Sequence, residues 1–357
     1  MPNEIVQRAT TRKLLAPVVA MSAAAVLALA SCSSNLSSSS SSPKTLTSIT
    51  IGVQAPLPIF MPFFVIQENP GICAPYGVNP TFETVTPVSG PPALVSGSVP
   101  LQVESNGSFF EEAAKSPSSV TLLGGYGPLA ALYWVNKDVK SLKDLAGKTL
   151  AATTPGGASD LLDHLVIKLA GLTAGTGPGD VHIDYVGSSQ AIIALTTAGR
   201  TAGFSAPPPL PSAAVAAGIH TIADLTLYPQ AIPLDTLAVV VSGPYYQSHK
   251  SAVHGMLACI AHADVYAKAN SAATESATEK VLNEPAAYAT AAYADNKTTW
   301  NIFPFTESLA QAALTDLKAA GLASQVKGFS FSSDDTTALS GISGALSVPP
   351  GTTIYSK

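Results

Sequence analysis

The residues with the clearest chemical potential form a hydroxyl- and glycine-rich step, Thr154-Pro155-Gly156-Gly157-Ala158-Ser159, between a β-branched run and an amphipathic stretch that Gly171 stops. Gly156 and Gly157 let backbone approach a ligand closely, and a helix over Asp160–Ala170 leaves its first N–H groups without intrahelical partners. Such a start, with Ser159 as N-cap, can hold a carboxylate, sulfonate or phosphate through N–H donors and the helix dipole. The same residues also read as an ordinary capped helix. Asp160 and Asp163 in the first turn already offset the dipole, and the surrounding loops carry no Lys or Arg. These loops predict a small organic ligand, neutral or with one anionic group and an apolar or aromatic body, bound at roughly micromolar affinity, about 8 kcal/mol.

Other hydroxyls and amides fall at equivalent places. Ser89, Ser105, Asn106, Ser188 and Ser205 sit at turns beyond the carboxyl ends of predicted strands, where ligands lie in open α/β sheets. The first β-branched run ends in Gln54-Ala55-Pro56-Leu57-Pro58, which puts Gln54 at a strand end and Leu57 at the mouth of any cleft there. Ile59 to Phe64 reads mostly as helix core. Pro207, Pro208 and Pro209 lock φ at successive positions, which makes either a stiff cleft wall or a simple strand terminator. The predicted ligand set is Gln54, Leu57, Ser89, Ser105, Asn106, Thr154, Gly156, Gly157, Ser159, Ser188, Ser205 and Pro207.

Catalytic and metal readings find little support. There is no G-x-S-x-G, H-E-x-x-H or P-loop, and Gly125-Tyr126-Gly127-Pro128-Leu129-Ala130 fits G-x-G-x-x-A only with Pro128 and a strand-like continuation that contradict a Rossmann helix. The six histidines are scattered, with His249, His254 and His262 read as surface or capping residues, so neither metal nor cofactor is expected. A net charge of −5, with Arg200 the single arginine beyond residue 12, argues against nucleic acid and against an anionic membrane face. Cys73 and Cys259 either pair or stay buried as small hydrophobes.

The N-terminus reads as an export signal. Arg8, Arg12 and Lys13 precede an apolar run from Val18 to Ala30, too short to span a bilayer comfortably, and Leu29-Ala30-Ser31-Cys32 has the form of a lipobox. Cleavage before Cys32 predicts a lipid-anchored chain on the extracytoplasmic face of the cell membrane. The serine run Ser37–Ser42 then reads as a flexible tether over 32–46.

The elements that must position these residues recur. Thr81–Val88, a Ser89-Gly90 turn, a short helix stopped by Gly97 and Val99–Val103 form one strand, turn, helix, strand unit. His182–Val186, Gly187-Ser188-Ser189, Gln190–Thr197 stopped by Gly199, and Thr201–Ser205 form another. Two such units predict an α/β fold of two similar lobes with a ligand cleft between them. After the strand Thr236–Ser242 the chain reads as alanine-rich helices near 247–270, 276–282, 285–294 and 306–320, returning to cover the first lobe.

The stretch Val139–Leu172 resembles the S-hydrophobic-x-D-L-x-G-K pattern, then strand and Gly/Ser helix start, of the nitrate/sulfonate/thiamine-precursor family of ABC-transporter substrate-binding proteins. Gly90-Pro91-Pro92-Ala93-Leu94-Val95-Ser96-Gly97 and Gly187-Ser188-Ser189-Gln190-Ala191-Ile192-Ile193 lie in two further stretches similar to it. The resemblance implies a type II periplasmic-binding fold, with lobe 1 over 47–130 and 237–357 and lobe 2 over 131–236. It also implies a monomer that hands a small-molecule ligand to a permease and, through it, to a cytoplasmic ATPase. The chain departs from the pattern at Gly199-Arg200-Thr201-Ala202-Gly203, which lacks the usual Asp, and at Ser205–Pro209, so ligand identity does not carry over. Alternatives are an enzyme of the pyrimidine-precursor type on the same fold and a structural lipoprotein.

Overall fold

β-branched residues in alternation make Thr47–Gln54 the first strand, β1, with Ile49, Ile51 and Val53 turned inward. The computed structural model describes residues 45–127, 131–228 and 237–319. The predicted signal, Cys32 and nearly all of the tether lie outside the described residues, as do Ala130 and residues 229–236 beside the expected lobe bounds. Among the described residues no helix is long and apolar enough to cross a membrane.

The first lobe is built on six strands. β1 pairs in parallel with β2 (Val78–Val85) and β3 (Leu101–Ser105). β10 (Leu237–Ser242) runs antiparallel between β3 and β4 (Val120–Tyr126), and β11 (Ile302–Phe303) adds an edge, giving the order β2-β1-β3-β10-β4-β11. One face is covered by α1 (Met61–Glu68), α7 (Gly243–Ala269), α8 (Ser271–Leu282) and α9 (Ala286–Asn296), where Phe60, Phe63, Met256 and Ile260 meet Ile51, Val103 and Val239. The opposite face meets α2 (Gly90–Ser96), α3 (Asn106–Lys115) and α10 (Glu307–Ala319) through Leu94, Phe110, Leu309 and Leu314. Cys73 and Cys259, whose pairing the sequence left open, form a disulfide between a 3-10 segment, Pro70–Tyr76, and α7.

The second lobe repeats the plan at smaller size. β5 (Leu132–Val135) lies between antiparallel β8 (Gly203–Ala206) and β9 (His220–Asp224), and β6 (Thr149–Ala152) pairs in parallel with β7 (His182–Tyr185). A 2.7 Å hydrogen bond from Ala202 N–H to Thr149 O ties the two pieces, so β7-β6-β8-β5-β9 mirrors β2-β1-β3-β10-β4. The repeated unit appears as β2-α2-β3 and as β7-α5-β8, with α5 at Ser189–Thr197. α4 (Ala158–Leu169) follows β6, and α6 (Ser212–Ala216) follows β8. The core beneath α3 and α10 continues into this lobe through Tyr133, Leu150 and Leu161, while Trp134, Ile192, Phe204 and Leu210 form a separate cluster.

Two local expectations are corrected. Asn106-Gly107-Ser108 is the first turn of α3, a helix that buries Phe109 and Phe110, with Ser105 as the extended residue before it. Ser159 is not the N-cap of α4. Gly157, at φ −70° and ψ 163°, holds that position, since the Asp160 carboxylate accepts Gly156 N–H at 2.8 Å and starts the helix earlier. The left-handed residue in this step is Gly156, at φ 77°.

Candidate functional site

The strand ends converge where the sequence placed the ligand turns. Gln54 closes β1, Thr153 follows β6, Ser205 and Ala206 end β8, and all four line one cleft between the lobes. The cleft encloses about 720 Å³, counting its open mouth. Leu57, Phe60 and Leu237 form the first-lobe wall. Ala131, Leu162, Ile192, Ile193, Phe204 and Pro207 form the second-lobe wall, with Ala158 and Ser159 from the first turn of α4 and Ser189 from α5.

The polar groups are few and mostly tied to protein. Gln54 Oε1 accepts Ser105 N–H at 3.0 Å, which fixes the orientation of the Gln54 side chain on the cleft wall. Ser159 Oγ accepts Thr153 N–H at 2.9 Å and lies 3.1 Å from Thr153 Oγ1. Trp134 sits one layer behind, its Nε1–H donating to Ala206 O at 2.9 Å. No charged side chain lines this chamber among the described residues.

The electrostatics behind the α4 start differ from the sequence expectation. Burial drives Asp163 well above the usual carboxylate range, and neighbouring Asp160 raises it further. Asp163 therefore offers little anionic charge to offset the helix dipole. Burial also raises Asp160, against the opposing pull of Gly156 N–H, His164 and the Tyr185 hydroxyl, which donates to Asp160 Oδ1 at 3.0 Å. Asp160 thus acts as a clamp on the Gly156 turn.

Of the residues expected to contact a ligand, Gln54, Leu57, Ser159, Ser205 and Pro207 stand on the cleft wall. The others do not. Ser105 is buried behind Gln54, its Oγ 3.0 Å from Ser108 Oγ, and Ser188 caps α5 by accepting Ala191 N–H at 3.2 Å. Ser89 bonds Thr86 instead: its Oγ accepts Thr86 N–H at 3.0 Å. Thr154 faces a separate groove with Pro155 and Ser108, because the chain bends at Thr153–Thr154 just after β6 and leaves Thr153 on the cleft. Gly156 and Gly157 sit behind the wall, and the side chain of Asn106 lies outside the described part. Phe60, Ser189, Ile192, Ile193 and Phe204 line the cleft without having been singled out.

The lobes touch on either side of the cleft. A Cβ placed on Gly107 in α3 would lie 2.1 Å from the Gly156 carbonyl oxygen, so the two helix starts meet backbone to backbone. Across the mouth, the proline loop is held by α9. Tyr288 OH donates to Pro209 O at 3.2 Å and Asn296 Nδ2 donates to Pro208 O at 2.7 Å. Among the described residues no group of three or more His, Cys, Asp or Glu converges on a point that could hold a metal ion.

Solved structures share this architecture. The alkanesulfonate-binding protein SsuA from Xanthomonas axonopodis pv. citri, bound to MOPS, aligns at TM-score 0.64 and 17% identity, over 77% of this chain and 94% of its own. The periplasmic nitrate-binding protein NrtA from Synechocystis PCC 6803 aligns at TM-score 0.64 and 15% identity, over 81% and 84%. A conserved Candida albicans gene product described as having the generic periplasmic binding protein structural fold aligns at 0.61 and 14%, over 83% and 95%. At such identities the likeness shows the fold, which is the two-lobed type II periplasmic-binding fold. None of the curated proteins matches the sequence. The profile of the NMT1-like family matches residues 82–282, from within β2 to the end of α8. That span is more than half of the chain and includes most of the cleft wall, and with it the chain belongs to the NMT1-like family.

Proposed function

We propose that this protein is the extracytoplasmic substrate-binding component of an ABC importer, capturing a small, mainly apolar organic solute and delivering it to a permease coupled to a cytoplasmic ATPase. The observation that carries this reading is the cleft itself. Both lobes supply its walls, apolar side chains dominate, a few hydrogen-bonded hydroxyls and one amide belong to the lining, and among the described residues no nucleophile and base stand together on it. The binding proteins of similar fold named above support the role.

In this reading Gln54, Leu57, Ser159, Ser205 and Pro207 contact the ligand together with Phe60, Ser189 and Phe204. The N–H groups at the start of α4, beside Ala158 and Ser159, receive a single anionic or carbonyl oxygen. The lobes divide at 130/131 and 236/237, a lipid on Cys32 holds the chain to the membrane, and the protein works as a monomer. Titration with aromatic and aliphatic monocarboxylates, sulfonates and neutral analogues tests the reading through thermal stability. A ligand at a hundred times its Kd adds about 2.7 kcal/mol. The expected result is stabilisation by one organic class, with the solute recovered unchanged. Conversion of the solute, or stabilisation only by sulfate or phosphate, contradicts it.

A further inference from the structure

The cleft does not end at Pro207. Past Leu57, Ser189, Ile193, Ala206 and Pro207, which border both spaces, it opens into a second chamber of about 710 Å³, counting its mouth. Pro58, Pro209 and Pro211 stiffen the new walls, so little side-chain freedom is lost when a ligand orders there. Among the described residues lining either chamber, Glu284 carries the one charged side chain. It lies between α8 and α9, just after Asn283 in the left-handed region at φ 52°. Ser212 of the other lobe donates to its Oε2 at 3.0 Å, which holds the carboxylate at the seam of the lobes. Tyr288, one turn along α9, is 7% exposed, and the bond from its hydroxyl to Pro209 O fixes its ring in the same wall. The Glu284 charge is close enough to push the Tyr288 phenol further upward after burial has raised it.

A partly buried carboxylate beside an oriented aromatic ring, in a proline-walled space whose other polar lining is the uncharged Ser189 and Gln190, is the chemistry that recognises an ammonium group. We propose that the outer chamber is a subsite for a protonated amine at the far end of an elongated ligand, with Glu284 and Tyr288 as its recognition residues. The ligand body fills the inner chamber. This rests on the ligand-capture reading and adds to it the length and charge pattern of the solute: a donor-seeking end at the start of α4, an apolar middle, and a cationic end at Glu284.

The test uses the full chain and two probe series, n-alkylamines and the 1-alkanols of equal length, from four to eight carbons, titrated calorimetrically. Affinity is expected to rise roughly four-fold per methylene in both series while apolar wall is being covered. The amine is expected to exceed the matched alcohol by roughly five- to ten-fold once it reaches Glu284. In Glu284→Gln that amine-to-alcohol ratio falls to about one, whereas Ser212→Ala, which removes the seam bond and keeps the carboxylate, retains a ratio above one. Equal affinities of amine and alcohol in the unaltered protein, or a ratio that survives Glu284→Gln, overturn the subsite and leave ligand capture standing. Binding of neither series also refutes the amine subsite, and capture is then judged separately by the solute that copurifies with the protein.

Discussion

Replacing Gly107 by Ala separates lobe closure from folding. In the structure a Cβ at this position lies 2.1 Å from the Gly156 carbonyl oxygen, nearly 1 Å inside the closest approach that real side chains show. The atom it meets is backbone, in a peptide plane whose Gly157 N–H donates to Thr154 O at 3.1 Å, so it cannot swing away as a side chain would. Restoring contact distance requires the lobes to part by about 1 Å at this point, and overpacking of this size costs about 1–3 kcal/mol in the present arrangement of the lobes, which we infer to be the closed, ligand-holding one. A form with the lobes further apart is free of that cost. In the first turn of α3 the change is neutral to mildly favourable, because Ala loses less backbone entropy than Gly on becoming helical. The expected outcome is a ligand affinity weakened by roughly 5- to 150-fold with a thermal midpoint, measured without ligand, equal to or above that of the unaltered protein. Calorimetric titration with a solute identified by thermal screening, paired with a ligand-free melt, reads both quantities. Unchanged affinity refutes the argument that this contact belongs to closure. A lowered midpoint with lowered affinity refutes the separation from folding.

Other predictions concern stability and placement. Glu104 is fully buried on β3, with Oε1 unpartnered among the described residues, and burial pushes its carboxyl from 4.5 to about 8, with the Glu112 charge adding to the rise. The folded state therefore keeps a proton that the unfolded chain loses, so this contribution is full below pH about 4.5 and declines by roughly 3–5 kcal/mol as pH rises to 8. Asp264, raised to about 7 by burial, adds to the same slope. Melts at pH 5, 6.5 and 8 check this, and Glu104→Gln should flatten the slope. Reduction of Cys73–Cys259, which spans 186 residues, should cost about 3–5 kcal/mol of stability without loss of secondary structure at low temperature, as read by denaturation with and without reductant. Cys32→Ala should release the protein from the membrane fraction into the soluble extracytoplasmic fraction; retention on the membrane contradicts the lipid anchor.

Much of the frame was legible because backbone chemistry is local. Gly97, Gly171 and Gly199 stop helices as read, each with positive φ, and the repeated strand, turn, helix, strand unit appears in both lobes. The cleft wall was legible only where strand ends announce it. Gln54, Ser205 and Pro207 stand on it because a strand that ends at the sheet edge presents its last residues there. Thr153 against Thr154, and Ser189 against Ser188, turn on side-chain direction in a single step of chain. Ser188 spends its hydroxyl on its own helix, which sequence cannot distinguish from a ligand contact. Phe60, in a stretch read as helix core, and Ile192 and Phe204 were not legible as cleft residues, because an apolar residue facing a cleft and one facing the core share the same periodicity. Which of the two glycines turns left-handed was not legible, because either satisfies the pattern and Asp160 selects Gly156. Glu284 and Tyr288 reach the cleft from alanine-rich helices far along the chain, through a contact with the proline loop that no local signal encodes.

Native mass spectrometry of the protein, purified without refolding, tests ligand capture most directly. The account predicts one small organic species per chain, lost on denaturation and chemically intact, whose mass and fragmentation show an apolar body with no more than one anionic group. A tightly held inorganic oxyanion or a multiply charged phosphate ester in its place would contradict it.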